Sequence, residues 1–290
     1  MRASGRKGCS TRSVSPGCST SATTATARIS RSGRWPATVT CDRAILAGWH
    51  TACRSPRATG VAAVGFVTGL GAESRCLLHH AGVDPGRLRC AGADPARATA
   101  AAEALLAGGC GAIVSFGVAG GLSPDCPAGT LVLADVIMGA ADRRFETDRV
   151  WRDAVSEALS GTIPVHIAPL AGSDRPVASV AEKQALFRRT GASAVDMESD
   201  AVARVAAAHA CPIIVIRAIA DPAERAVPGW LEDSVDADGR PRKLTILSQL
   251  LRRPSDCAAL VHLAFDYRKA LRTLRCVALS AGPILRRLDG

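Results

Sequence analysis

Residues 194–221 read AVDMESDAVARVAAAHACPIIVIRAIAD: a short strand, a helix and a second, largely apolar strand in succession. The first part, AVDMES, places Glu198 at the mouth of a strand-to-helix turn. The last part, IIVIRAIAD, ends with Asp221 at the carboxyl end of a strand that reads as buried. Open α/β sheets bind ligands outside the carboxyl ends of their strands, so two carboxylates meet where a ligand would sit. One can accept hydrogen bonds from hydroxyl groups, and the other can protonate a leaving group.

Working outward, the same alternation recurs. VAAVGFV (61–67) reads as a strand, and TGLGAESRCLLHH as a glycine turn opening a helix. An alanine-rich helix over 94–108 stops at Gly108-Gly109, strand AIVSF (112–116) runs into a second glycine turn, GVAGGLSPD, and TLVLADVIM (130–138) is the next strand. A helix over 149–159 and strand PVHIAPL (164–170) follow, and Ser179 with Glu182 forms a capping box for a helix reaching Arg189. This alternation predicts an α/β protein of three layers, helices on both faces of a mixed central sheet.

The flanks differ from this middle. Residues 1–59 are rich in Ser, Thr, Arg, Gly and Pro and show no helical or strand period, which predicts a disordered basic leader. A basic arm, a transit peptide or translation from a start codon placed too far upstream are the accompanying readings. The catalytic-looking domain is expected over 60–239. Residues 240–290 are expected to form a basic extension of two amphipathic helices, at 243–253 and 255–278, the second with Leu260, Ala264, Tyr267, Leu271 and Leu274 on its apolar side. Such helices can pack on their own domain or lie on anionic lipid.

Charge follows the same division. Residues 1–60 hold ten Lys/Arg against the single acid Asp42, and residues 240–290 hold eleven against Asp256, Asp266 and Asp289. The middle is acidic, with fifteen cations against twenty-two carboxylates, so the overall +10 is no argument for nucleic-acid binding. The 11 cysteines form no C-x-x-C and fit a reduced, cytoplasmic chain; the 6 histidines make no metal-binding pattern, so no metal is expected. No apolar run approaches the roughly 18 residues of a membrane span.

Each glycine turn alone is more often ordinary than functional. TGLGAE (68–73) could cradle an anion, but the third glycine of a dinucleotide fingerprint is Ser74 here. Glu198 alone could be a helix-dipole residue and Asp221 a cap. In combination, TGLGAE, FGVAGGLSPDCPAGTLVLADVI, GSD, VDMES and IRAIAD resemble the purine nucleoside phosphorylase and uridine phosphorylase superfamily, above all its adenine-releasing nucleosidases. The tail, DGRPRKLTILSQLLRRPSDCAALVHLAFDYRKALRTLR, is similar to that of hopanoid-associated phosphorylases, which act on adenosylhopane.

The resemblance implies roles residue by residue. Asp221 matches the acid that protonates the purine, and Glu73 the carboxylate that orients water in nucleosidases. Glu198, beside Met197, matches the ligand of the ribose hydroxyls, and Arg217 an arginine near the nucleophile. Gly69 and Gly71 would form a phosphate-binding turn, and Ala119, Gly120 and Gly121 the backbone lining the base. There are departures: Phe116 and Val118 replace hydroxyl residues, Pro176 stands where an aromatic would stack on the base, and Ala220 replaces the serine that steadies the acid. These favour a larger or more apolar substrate.

The expectation is release of adenine from adenosylhopane by water or phosphate in hopanoid biosynthesis, with no cofactor beyond phosphate as a co-substrate. A homo-oligomer is expected, with peripheral contact at the inner membrane through residues 243–278. A nucleosidase for methylthioadenosine or S-adenosylhomocysteine and a non-catalytic nucleotide-binding module are the alternatives.

Overall fold

Apolar runs flanked by glycine turns become buried strands, and alanine- or arginine-rich runs with polar caps become the helices that cover them. The computed structural model describes residues 62–234 and 252–288, together with Arg242, Ser248 and Gln249. In chain order the elements are β1 (Ala62–Thr68), α1 (Gly71–Cys76, continued by a π-helical turn Leu77–Ala81), β2 (Leu88–Cys90), α2 (Pro95–Ala107), β3 (Cys110–Gly121), β4 (Leu131–Met138) and β5 (Arg144–Glu146). Then come α3 (Arg149–Leu159), β6 (Val165–Gly172), α4 (Val180–Thr190), β7 (Ala194–Asp196), α5 (Ser199–Ala208), β8 (Ile213–Asp221), α6 (Cys257–Leu285) and β9 (Arg287–Leu288). The expected leader and the first tail helix fall largely outside the described residues.

The sheet is mixed. β1 pairs in parallel with β2 and β3, and β3 with β8, while β4 runs antiparallel to β8 and parallel to β6. β6 then pairs with β7, which returns antiparallel to β3, so the pairings β3–β8–β4–β6–β7–β3 close on themselves. Strand alternation sorts β8 between two cores. Ile214, Ile216 and Ala218 face α1, α3 and α6, whereas Ile213, Val215 and Ile219 face α2 and α5. The chain therefore has helices on both faces of the sheet, as the alternation predicted.

Two elements differ from their sequence reading. The second glycine turn is not a turn: β3 continues through Gly121, with Gly120 and Gly121 paired to Val195 and Ala194 and a register shift at Ala119/Gly120. Small residues let the strand run between β7 and β8 where larger side chains would collide. The final helix buries a stripe rotated from the expected one, keeping Leu274 at its centre with Tyr267 and Leu271 packed at its edge. Asp266, Ala270, Leu274, Val277, Ala278, Ala281, Gly282 and Leu285 face the core, while Ala264 is exposed and Tyr267 and Leu271 are only partly covered. Close approach selects the small residues: a Cβ on Gly282 would lie 3.1 Å from Ala81 Cα.

The two short strands β2 and β5 carry no alternating pattern of their own. β5 arises from a tight hairpin closed by the Gly139 amide donating to the Arg143 carbonyl at 2.8 Å, with a three-residue loop in which Ala141 (φ 53°) and Asp142 (φ 56°) both take left-handed conformations. Glycine or asparagine would signal such a turn in a sequence, and alanine does not.

Because α6 shares the core, its truncation is felt by the whole fold. Leu274 is completely buried. Leu274→Ala is expected to cost about 2–5 kcal/mol in urea unfolding and to shift a single transition. An unchanged midpoint for the sheet would mean that the helix stands apart from it.

Candidate active site

Strands β1, β3, β7 and β8 and the starts of two helices supply the site. β1 ends at Thr68 and leads through Gly69 and Leu70 into α1, whose third residue is Glu73. The carboxylate turns back on its own helix start: Oε2 accepts from the amides of Gly69 (2.9 Å) and Leu70 (2.8 Å). Oε1 accepts from the amide of Val118 on β3 at 2.8 Å. Three of the four lone-pair sites of the carboxylate are thus held by backbone, leaving one for a further donor. Burial outweighs these bonds and lifts the Glu73 pKa to about 6, so the group is ionised at neutral pH.

Arg217 lies in the middle of β8 and is 1% exposed. Its guanidinium bonds Asp196 at 2.5 Å, Ser115 at 2.8 Å, Ser199 at 3.0 Å and the carbonyl of Ile216 at 3.0 Å. It also pairs with Glu198 at 3.6 Å. Strands β3, β7 and β8 and the start of α5 are fixed through one side chain. Glu198 itself precedes α5 and is 6% exposed. Burial, and then the charge on Asp196, push its pKa up to about 8, against the pull of Arg217.

Asp221 closes β8 opposite Gly120. Burial raises its pKa, and the ammonium of Lys183 on α4 opposes that rise. Its side chain keeps 16% exposure, against 9% for Glu198, and so is the more open of the two.

The glycines fit beneath the carboxylates. An ideal Cβ on Gly69 would lie 2.5 Å from Glu198 Oε1, one on Gly117 2.8 Å from Glu73 Oε2, and one on Gly120 3.1 Å from Asp221 Oδ2. Each acid rests where a side chain is missing from a neighbouring strand or turn. The sequence assigned these glycines to anion binding and to the approach of a flat ligand. At Gly69 the anion is internal, because its amide donates to Glu73. Ala119, Gly120 and Gly121 belong to the strand β3 beside Asp221, and Met197 is half-buried between Asp196 and Glu198.

Sequence reasoning grouped Glu73, Glu198, Arg217 and Asp221; the structure sets Glu73 and Glu198 about Arg217 and places Asp221 four residues further along β8, against Gly120 and Lys183. Sequence reasoning missed Asp196, Ser115, Ser199 and Lys183. Asp196 lies two residues before Glu198 in the quoted VDMES and was readable there as a second acid. Ser115 and Lys183 carry no local signal. Among the described residues, no group of three or more His, Cys, Asp or Glu is placed to hold a metal ion.

A sequence profile described as the phosphorylase superfamily matches residues 57–252, more than half of the chain. The chain belongs to the phosphorylase superfamily. Futalosine hydrolase of Streptomyces coelicolor is 35% identical over 126 residues, 38% of this chain and 53% of that protein. The match thus spans about half the length of that curated relative. Among solved structures, native futalosine hydrolase of Helicobacter pylori superposes with a TM-score of 0.54 at 18% identity, covering 74% of this chain and 96% of that one. The 5′-methylthioadenosine/S-adenosylhomocysteine nucleosidase of Neisseria meningitidis, solved with methylthio-immucillin-A, gives 0.57 at 17%, covering 76% and 98%. These likenesses establish that the chain shares the superfamily's fold.

Within this superfamily fold the buried acids make stability depend on pH. An unfolded Glu titrates near the ordinary value of 4.5, whereas Glu198 in the folded chain holds its proton to about 8. Between these values the native state binds more protons, so its stability falls as pH rises. Glu198→Gln is expected to flatten the pH dependence of the unfolding free energy between about 5 and 8 and to stabilise the protein at pH 8 relative to wild type. Parallel curves for the two proteins would contradict the assignment.

Proposed function

We propose that this chain is a nucleosidase that hydrolyses the N-glycosidic bond of a purine nucleoside. The observation that carries this reading is the placement of Glu73: a buried carboxylate holds the amides of Gly69 and Leu70, where a phosphorolytic enzyme would need room for phosphate. A second anion brought against it would be repelled at low dielectric, whereas a water molecule can donate to its remaining lone pair.

In this reading the base sits between Asp221 and the Ala119–Gly121 backbone. Asp221 delivers a proton to a ring nitrogen of the base while the C1′–N bond breaks and its electron pair leaves with the base. The ribosyl centre that remains is electron-poor. Glu198 accepts hydrogen bonds from the ribose hydroxyls through its carbonyl oxygen, and the ionised carboxylate of Glu73 stabilises the developing positive charge. Water bonded to Glu73 adds to C1′ and gives its proton to that carboxylate, so the products are free base and free sugar. Arg217 keeps Asp196 and Glu198 in place and touches no reacting atom.

Futalosine is the preferred substrate, on the 35% identity to the Streptomyces coelicolor hydrolase. A second reading, adenosylhopane, draws on the similarity of the tail and on one feature of α6. Its outer face carries Val261, Phe265 and Leu279 at 54%, 56% and 58% exposure, and Arg268 lies over the Phe265 ring. A basic and apolar helix face of this kind suits contact with a lipid surface. Methylthioadenosine serves as the third test compound because of the nucleosidases that share the fold.

The test is release of free base from futalosine, adenosylhopane and methylthioadenosine, followed by chromatography without added phosphate. Futalosine is expected to be turned over with kcat/KM about tenfold or more above the others, a difference of roughly 1.4 kcal/mol in transition-state binding. Asp221→Asn is expected to lower kcat by about 10²–10⁴. Turnover of adenosylhopane alone would replace the substrate, and no base from any compound would overturn the nucleosidase reading.

A further inference from the structure

Lys183 is the one buried lysine among the described residues, and it ends on Asp221. Its side chain is 0% exposed, and Nζ lies 2.5 Å from Asp221 Oδ2. The same ammonium approaches the carbonyl oxygens of Pro222 and Arg225, both at 3.0 Å, and that of Asp221 at 3.3 Å. A charge without water is tolerated only when paired and hydrogen-bonded, and four acceptors converge here on three donors.

The placement of Lys183 is fixed from behind. Ser179 and Glu182 exchange the hydrogen bonds of a capping box at the start of α4, and the amide of Val227 donates to Ala178, tying the loop after β8 to that helix start. Arg225, in the same loop, turns its guanidinium to Asp266 on α6. Lys183 is therefore the charged group that acts on Asp221, and it reaches the carboxylate from a helix with no other part in the site.

We infer that Lys183 is a positioning residue for the leaving-base acid: it clamps Oδ2 of Asp221 and reserves Oδ1 for the proton given to the base. This rests on the nucleosidase reading. The ammonium also acts on the energetics of the step. When Asp221 passes its proton to the base, the carboxylate left behind gains an ion pair with Lys183, so transfer is favoured in the direction of bond cleavage. The same ammonium lowers the proton affinity that burial raises.

The test uses Lys183→Met and Lys183→Gln in the full chain, with kcat and KM measured against pH on the nucleoside that wild type cleaves fastest. Activity needs protonated Asp221 and is lost as pH rises through its pKa. Removing the ammonium raises that pKa, so the alkaline limb of the kcat profile is expected to move up by about one pH unit in Lys183→Met, with kcat at its optimum lowered about tenfold or more and KM changed less than about threefold.

If Lys183→Met does not fold, Lys183→Gln, which keeps a donor to Asp221 without the charge, carries the same measurement. An unmoved alkaline limb, or loss of folding in both variants, would overturn the inference and leave Lys183 a staple of the loop alone. A wild-type protein that releases no base from any nucleoside would instead sink the underlying nucleosidase reading, so the two failures are distinguishable.

Discussion

A guanidinium in the middle of a buried strand must find its partners inside the protein. Arg217 finds them on three other segments: Asp196 at the end of β7, Ser115 within β3, and Ser199 with Glu198 at the start of α5. Each partner has to be present, because an unpaired charge at this depth would cost several kcal/mol. Satisfying Arg217 therefore fixes the spacing of β3, β7 and β8, and with it the distance between the acid that ends β8 and the acids on either side. The site is a consequence of that packing, not an addition to it.

The same constraint explains the glycines. Setting Glu73 and Glu198 about Arg217, and Asp221 against Lys183, leaves no room for side chains on the backbone next to them, and Gly69, Gly117 and Gly120 are the positions where the side chain is absent. Their function is steric. The carboxylates in turn carry raised proton affinities because burial desolvates them, and the pattern separates their roles: Glu73 near 6 is ionised at neutral pH, while Asp221 is held above the ordinary carboxylate range.

Much of the architecture was legible because the longer strands are largely apolar runs bounded by glycine, proline or a capping residue; β8 and α3 match their sequence reading residue for residue. The reading failed where a local pattern had two physical solutions. Gly-Val-Ala-Gly-Gly reads as a turn, yet small residues equally let β3 continue between two tight neighbours. The stripe read on α6 as Leu260, Ala264, Tyr267, Leu271 and Leu274 shares only Leu274 with the fully buried face, because close approach also favours Ala270, Ala278, Ala281 and Gly282. Of the site, the acids were visible because strand ends and motif spacing mark them. Ser115 and Lys183 were not, since a serine in an apolar strand and a lysine in a polar helix acquire meaning only from what the fold sets opposite them.

The central claim is that Glu73 commits the site to water. It is tested most directly by a single turnover of the preferred nucleoside in ¹⁸O-enriched water with inorganic phosphate at millimolar concentration, followed by mass analysis of the sugar. The account predicts one ¹⁸O in the C1′ hydroxyl and no sugar phosphate. A sugar 1-phosphate without the label would contradict it.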